Sequence, residues 1–372
     1  MDFLQVSEPS LTEEDADAVA RCVMDGWISS EGPQVVDFES RFAALVGRAY
    51  GVAVANGTAA LDIAFEAIEI GPGDEVIVPS FTIISCLNHI LRRGATPIFV
   101  DSLPDTWNMD PQAVEMAITM NTKAIVVVHI YGLPADIDQI LDVADRNGIL
   151  VVEDAAEAHG QHLEGRALGS FGKLSTFSFY SNKLITTGEG GMVLTDDPGL
   201  ATRLRELRNL GFSPERRFVH HNLGWNYRMT AMQAALGLSQ LNRIEALLAH
   251  KRQVGAQYQA LLSGASGVQL PLPSYRGSNN VYWVFGVVLH SSYSDDARGI
   301  MQRLAEEGIG TRPFFYPLHR QPVLRQFGLE RQLALPVSEN LGERGFYIPS
   351  GANITLSECE RVAQTLIDVL SN

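Results

Sequence analysis

Short apolar, β-branched runs alternate with longer amphipathic stretches through the first half of the chain. The runs fall at 51–55, 75–79, 96–101, 124–130, 149–153, 175–180 and 191–195, and they read as strands. The stretches 58–70, 111–120 and 136–147 read as helices lying between them. This alternation predicts an α/β domain whose largely parallel sheet is covered by helices. Ile125-Val126-Val127-Val128 has no polar interruption and fits a central strand buried on both faces.

The pattern changes near Thr230. Residues 230–263 read as one or two long helices, interrupted weakly at Gly237 and Gly255. After Pro271 and Pro273 come a strand at 281–289, a helix at 294–307, a strand at 310–315 and a closing helix at 357–370. The expectation is a large α/β domain over 1–240 with a mostly parallel mixed sheet, and a smaller α/β domain over 241–372.

Composition narrows the class. Apolar residues make up 46% of the chain and charged residues 19%, the balance of a globular protein. The longest apolar runs fall short of the roughly 20 residues of a membrane helix, so no membrane span is expected. The formal net charge of -15 opposes a nucleic-acid backbone, yet a local group of Arg and Lys can still receive a small anion. Cys22, Cys86 and Cys359 are far apart and odd in number, as expected of reduced thiols. With no signal-peptide pattern in Met1-Asp2-Phe3-Leu4-Gln5-Val6, the expected location is the cytoplasm.

Three features of the first part share one chemistry. Asn56-Gly57-Thr58 stands where a strand meets a helix. Gly57 permits close approach of a ligand, Thr58 can cap the helix and donate its hydroxyl, and the exposed amides suit a phosphate. Val151-Val152-Glu153-Asp154 runs an apolar strand into two acids, which places Asp154 at the carboxyl end of a parallel strand, where ligands of open α/β sheets gather. A carboxylate there can hold the protonated nitrogen of a pyridine ring. Lys183 follows a strand in a segment with no other charge before Glu189, and Ser178 just upstream can bond a phosphate oxygen. A poorly solvated lysine has a lowered pKa and becomes a nucleophile able to form an imine. Taken singly, the three have ordinary explanations as a helix cap, a capping Asp and a solvated Lys.

Together they resemble the DegT/DnrJ/EryC1/StrS family of sugar-nucleotide aminotransferases, which have the fold-type-I pyridoxal-phosphate architecture. The likeness spans essentially the whole chain. It includes Gly26-Trp27-Ile28-Ser29-Ser30, Gly73-Asp74-Glu75-Val76-Ile77-Val78-Pro79-Ser80, His129-Ile130-Tyr131-Gly132-Leu133-Pro134 and the Glu153 and Lys183 blocks. It continues through Leu223-Gly224-Trp225-Asn226-Tyr227-Arg228-Met229 and Thr311-Arg312-Pro313-Phe314-Phe315-Tyr316-Pro317-Leu318-His319. The runs 175–193 and 223–229 are similar to the branch that aminates C4 of GDP-4-keto-6-deoxymannose to give GDP-perosamine.

The resemblance implies pyridoxal 5'-phosphate as cofactor and glutamate as amino donor. It makes Lys183 the Schiff-base lysine and proton carrier, and Asp154 the partner of the ring nitrogen. Gly57, Thr58 and Ser178 would hold the phosphate, and Glu157 would stand near the ring hydroxyl. Asn226 would reach the phosphate from a second subunit, which implies a homodimer with shared active sites. Arg228, Arg312, Tyr316 and His319 would contact the nucleotide sugar. Related dehydratases with this cofactor carry His where Lys183 stands, so the resemblance implies amination rather than deoxygenation.

One position departs from the family's pattern. Pro79-Ser80-Phe81-Thr82 is followed by Ile83, where an aromatic residue usually stacks on the cofactor ring. Either Ile83 supplies an aliphatic contact or Phe81 shifts into that place. Other readings stay open: a dTDP- or UDP-linked 3- or 4-keto sugar as substrate, or a regulatory protein that binds the cofactor without turnover. His159/His162 and His220-His221 lack a matching third ligand, so no metal is expected. No Gly-x-Ser-x-Gly elbow is present.

Overall fold

The computed structural model describes residues 3–213, 216, 218–293, 295–329 and 333–371. Seven strands form the first sheet: β1 (Tyr50–Val54), β2 (Glu75–Pro79), β3 (Thr96–Val100), β4 (Thr122–Val128), β5 (Leu150–Asp154), β6 (Leu174–Ser178) and β7 (Gly191–Thr195). Their order is β1-β7-β6-β5-β4-β2-β3. β7 runs antiparallel to both of its neighbours, and the remaining pairings are parallel, which makes the sheet mixed and mostly parallel as expected. Each strand lies within two residues of its expected bounds at either end.

The run in β4 shows why this sheet is central. Ile125 and Val127 join the apolar cluster on one face, while Ala124, Val126 and Val128 join the cluster on the other. Period-two alternation therefore feeds both faces, and a strand that is apolar throughout is the result.

A second sheet is antiparallel throughout: β8 (Val268–Gln269), β9 (Phe285–Leu289), β10 (Arg312–Pro313) and β11 (Gly345–Ile348), in the order β8-β9-β11-β10. Its cluster includes Phe285, Val287, Phe346 and Ile348 together with Tyr258 and Leu366 from the flanking helices. The opening residues are laced into this layer. Leu4 donates to Gly308 O (2.9 Å) and accepts from Gly310 N (2.8 Å), and Val6 O accepts from Ser350 N (3.2 Å).

Several expectations change. The long helical stretch is two helices, Ala231–Leu241 and Ile244–Leu262, and the break falls at Asn242-Arg243 rather than at a glycine. Gly237 and Gly255 lie inside the helices because aromatic rings press on them. A Cβ at Gly237 would stand 2.7 Å from Phe38 Cζ, and one at Gly255 would overlap the Tyr282 ring. The expected strand 281–289 starts late, at Phe285, because Tyr282 adopts φ 49° and donates to Asn280 Oδ1 (2.7 Å). Residues 281–283 cross to the first sheet instead, where Trp283 N donates to Tyr131 O (3.1 Å). The helix expected at 294–307 is Ala297–Glu306, and Ser294 lies outside the described residues. No helix among the described residues is long and apolar enough to cross a membrane.

The packing at Gly255 yields a prediction. Ala is the better helix former by about 1 kcal/mol, but overpacking a filled core typically costs about 1–3 kcal/mol. Gly255→Ala should therefore lower the melting temperature, and a raised melting temperature in a thermal scan would show that the Tyr282 ring yields freely.

Candidate active site

The carboxyl ends of β5 and β6 face the amino end of the helix Gly57–Ala67 across an open cleft of about 1560 Å³. Gly57, Thr58, Ile83, Asp154, Glu157, Ser178 and Lys183 all line it.

Strand alternation decides the fates of two adjacent acids at the end of β5. Glu153 turns away from the cleft and is fully buried. His129 Nδ1 accepts from Ala135 N (3.1 Å), so its Nε2 carries the proton and donates to Glu153 Oε1 (2.9 Å). The amides of Gly169, Phe171 and Gly172 also donate to Glu153. Burial alone raises a carboxyl pKa, but the His129 bond and the amides outweigh it and hold Glu153 below its ordinary value.

Asp154 points into the cleft with an exposure of 4%. Its Oδ1 accepts from Ala156 N (3.1 Å) and its Oδ2 from Cys86 Sγ (3.3 Å). It makes no ion pair among the described residues, and burial raises its pKa against the pull of those donors and of Lys183. Such a carboxylate suits a cationic ring nitrogen. Glu157 accepts from Tyr131 N (2.8 Å), and burial raises its pKa too, opposed by Lys183.

The helix side of the cleft is built around Gly57. A Cβ there would lie 2.8 Å from Ser178 Cβ, so only glycine lets the helix end and the β6 end meet. Thr58 does not cap this helix, as the sequence suggested. The helix begins one residue earlier, which leaves Asn56 extended (φ -169°) at the cap, its Oδ1 accepting from Ala59 N (2.8 Å). Thr58 Oγ1 lies instead 3.0 Å from Ser85 Oγ, in the first turn and exposed to the cleft. Two buried polar atoms of the cleft wall, Thr176 Oγ1 and Asn182 Oδ1, have no hydrogen-bond partner among the described residues. The set fits pyridoxal phosphate: a carboxylate for its nitrogen, a helix end and a hydroxyl for its phosphate, and a lysine for its aldehyde.

Lys183 sits in the turn between β6 and β7, where Lys183 N donates to Tyr180 O (2.9 Å). Burial lowers its pKa, and Glu157 and Asp154 act in the opposite direction. Its Nζ lies 3.7 Å from the centroid of the Trp283 ring. Ile83, 41% exposed, lines the cleft, while Phe81 is locked in the core against Tyr131, Phe314 and Phe315 at 5.6–5.9 Å. Of these two residues, Ile83 is the one that reaches the cleft.

The remaining expected residues do not line this cleft. Asn226 is exposed and bridges Asn209. Arg228 donates to Asn209 Oδ1 (2.8 Å) and lines a separate recess with Arg205 and Arg208. Arg312 pairs in register with Tyr347, which does line the cleft, and Tyr316 is exposed. His319 is buried between Ser80 Oγ (2.6 Å) and Glu339 Oε1 (3.0 Å), which engages both ring nitrogens. Conversely, Trp283, Tyr227, Tyr347, Phe315, Ser85 and His89 line the cleft although nothing in their local sequence singles them out. Tyr227 and Phe315 stand beside Asn226 and Tyr316 in the two motifs of the resemblance, which were the signals that could have found them. Among the described residues no group of three His, Cys, Asp or Glu is arranged to hold a metal ion.

Known proteins resemble this chain in sequence and in fold. The model of the DegT/DnrJ/EryC1/StrS aminotransferase family matches residues 9–367. The chain is 42% identical to a GDP-perosamine synthase of Caulobacter vibrioides, covering 99% of this chain and 98% of the relative. It is 38% identical to a GDP-perosamine synthase of Escherichia coli O157:H7 over the full length of both. Among solved structures, the aminotransferase TlmJ from Streptoalloteichus hindustanus superposes with a TM-score of 0.93 at 30% identity, covering 99% of each chain. The fold is that of these pyridoxal-phosphate aminotransferases.

His159, behind Lys183, gives a pH prediction. Burial, reinforced by Lys183, lowers its pKa to about 3 from the ordinary 6.5. A base that stays neutral when folded but is protonated when unfolded adds stability above pH 6.5 that is lost as pH falls toward 3. His159→Gln should therefore flatten the acid side of a melting-temperature profile; parallel profiles for the two proteins would rule out the assignment.

Proposed function

The chain belongs to the DegT/DnrJ/EryC1/StrS aminotransferase family, and from that premise we propose that it transfers the amino group of glutamate to C4 of GDP-4-keto-6-deoxymannose, giving GDP-perosamine. The full-length likeness to two GDP-perosamine synthases carries this choice of substrate.

The cofactor of the family is pyridoxal phosphate, which when bound withdraws electrons from a carbon that must lose its proton. In this reading Asp154 would meet the ring nitrogen and keep it protonated, while Gly57, Thr58 and Ser178 would hold the phosphate. Glu157 would sit toward the ring hydroxyl and Ile83 against a ring face, an apolar contact without an aromatic quadrupole.

Lys183 would bond the cofactor covalently at rest. Displaced when the amino group of glutamate takes its place, its Nζ would take a proton from the α-carbon of glutamate and later deliver one to C4 of the sugar. The first task needs a neutral amine, which burial favours. The second needs an ammonium, which Glu157 and Asp154 favour. Opposing influences of this kind keep one group available for both directions of proton movement.

Charge supports a shared site. Both substrates are anionic, yet Lys183 is the only Lys or Arg among the described residues that line the cleft. Further positive charge and the remaining phosphate contact would come from a second copy, with Asn226 of the partner subunit completing the site. Arg228 and Arg312 are the proposed sources of charge for the nucleotide.

Incubation with glutamate should yield 2-oxoglutarate and pyridoxamine phosphate, and addition of the GDP-linked keto sugar should restore the original absorbance. Turnover of dTDP- or UDP-linked keto sugars alone would reject the substrate assignment. Borohydride should fix the cofactor to wild-type protein and fail to do so in Lys183→Ala. The dimer has its own test, because Lys183→Ala and Asn226→Ala should each be nearly inactive alone. Reassembled together, they should regain roughly a quarter of wild-type activity through the one intact site of each mixed dimer; no recovery would reject sharing.

A further inference from the structure

We propose that Trp283 is a positioning residue for Lys183, its indole face holding the lysine's ammonium whenever that side chain is not joined to the cofactor. The proposal rests on the reading of Lys183 as the cofactor lysine. Its geometric basis is the 3.7 Å separation of Lys183 Nζ from the ring centroid, inside the roughly 6 Å within which a ring face attracts a cation.

The indole is held from three separate parts of the chain. Its Nε1 donates to Asn182 O (2.9 Å), the residue before the lysine. Its backbone N donates to Tyr131 O (3.1 Å), in the turn that also supplies an amide to Glu157. Its backbone O accepts from Lys251 Nζ (3.2 Å), a buried amino group that also donates to Ser350 O. Lys251 comes from the helix Ile244–Leu262 and spans between Trp283 and the segment after β11, so it fixes where the indole stands.

The ring also separates two spaces. Trp283, Lys183, Asn182, Ala156 and Glu157 line the cleft, and the same five residues line a smaller cavity behind it. Facing Lys183 from the end of β5 and the turn after it are Asp154, Glu157 and His159. Lys251 from the long helix and Glu8 from the opening segment line the rear cavity. Released from the cofactor, a four-carbon side chain has many rotamers and two spaces to enter. The ring gives its charged form a defined resting place at the boundary. It does so without the desolvation that a further buried carboxylate would bring.

The test reads apoprotein rather than turnover. Apoprotein mixed with pyridoxal phosphate acquires visible absorbance as Lys183 bonds it, and the rate rises with pH as the amine becomes neutral. A ring face that stabilises the ammonium holds the midpoint of that rise at higher pH. Trp283→Leu should move the midpoint to lower pH by roughly half a unit, about threefold in amine availability at a fixed pH below it. Fluorinated tryptophans placed at position 283 keep the shape while weakening the ring's negative face, and they should move it stepwise with fluorine number. Trp283→Phe, which keeps a face but loses the bond to Asn182, should fall nearer wild type than Trp283→Leu. A midpoint unmoved across the fluorinated series, or equal shifts in the Leu and Phe variants, would overturn this proposal alone. Absence of any covalent adduct in wild-type protein would overturn the reading of Lys183 itself and this proposal with it.

Discussion

Glu153 and Asp154 are neighbours in sequence and point to opposite sides of one strand, so the sheet must accommodate one carboxylate without solvent in order to offer the other to the cleft. An isolated carboxylate taken out of water costs several kcal/mol. Here His129 and three amides of residues 169–172 surround it. Those donors come from the end of β4 and from the loop leading into β6, so satisfying Glu153 also ties three adjacent strand ends together. Asp154, Ser178 and the turn bearing Lys183 inherit their relative places from that tie. The two acids thus divide the work, one organising the edge and the other presenting charge at it.

The first sheet was legible because its strands are apolar on both faces, a pattern that tolerates few other interpretations. Asp154 and Lys183 were legible for a related reason, since polar residues directly after such runs mark the edge where ligands gather. The interruptions were less so. Gly237 and Gly255 carry the local sign of a break, yet their missing side chains make room for Phe38 and Tyr282, residues remote in sequence. Thr58 and Asn56 both can cap a helix, and a one-residue difference in where the helix starts decides between them. Trp283 had no local signal at all. It reaches the cleft because a turn at Tyr282 diverts an apolar run out of the strand it was expected to extend.

The distribution of charge has its own logic. In a chain with a formal net charge of -15, the described residues lining the cleft include acids and one lysine as their sole Lys or Arg. Arg205, Arg208 and Arg228 gather elsewhere, around a recess that includes Ser29 and Ser30. Arg208 is committed to Glu39 and the Ala53 carbonyl, whereas the Arg228 side chain is tied, among the described residues, to a neutral asparagine side chain alone. The two therefore differ in how much of their charge is already neutralised. An anion meeting this recess would feel Arg228 more strongly than Arg208.

The lacing of Leu4 and Val6 into the second layer bears on how the chain is made. A ribosome delivers those residues before the first sheet, yet their partners Gly308, Gly310 and Ser350 emerge only after it. The opening segment therefore remains unengaged while the first sheet assembles. Closing the second layer is an event of high contact order, with the entropy of a very long loop set against a few hydrogen bonds. The rear wall of the cleft, which Glu8 helps to line, is on this account finished only after the first sheet.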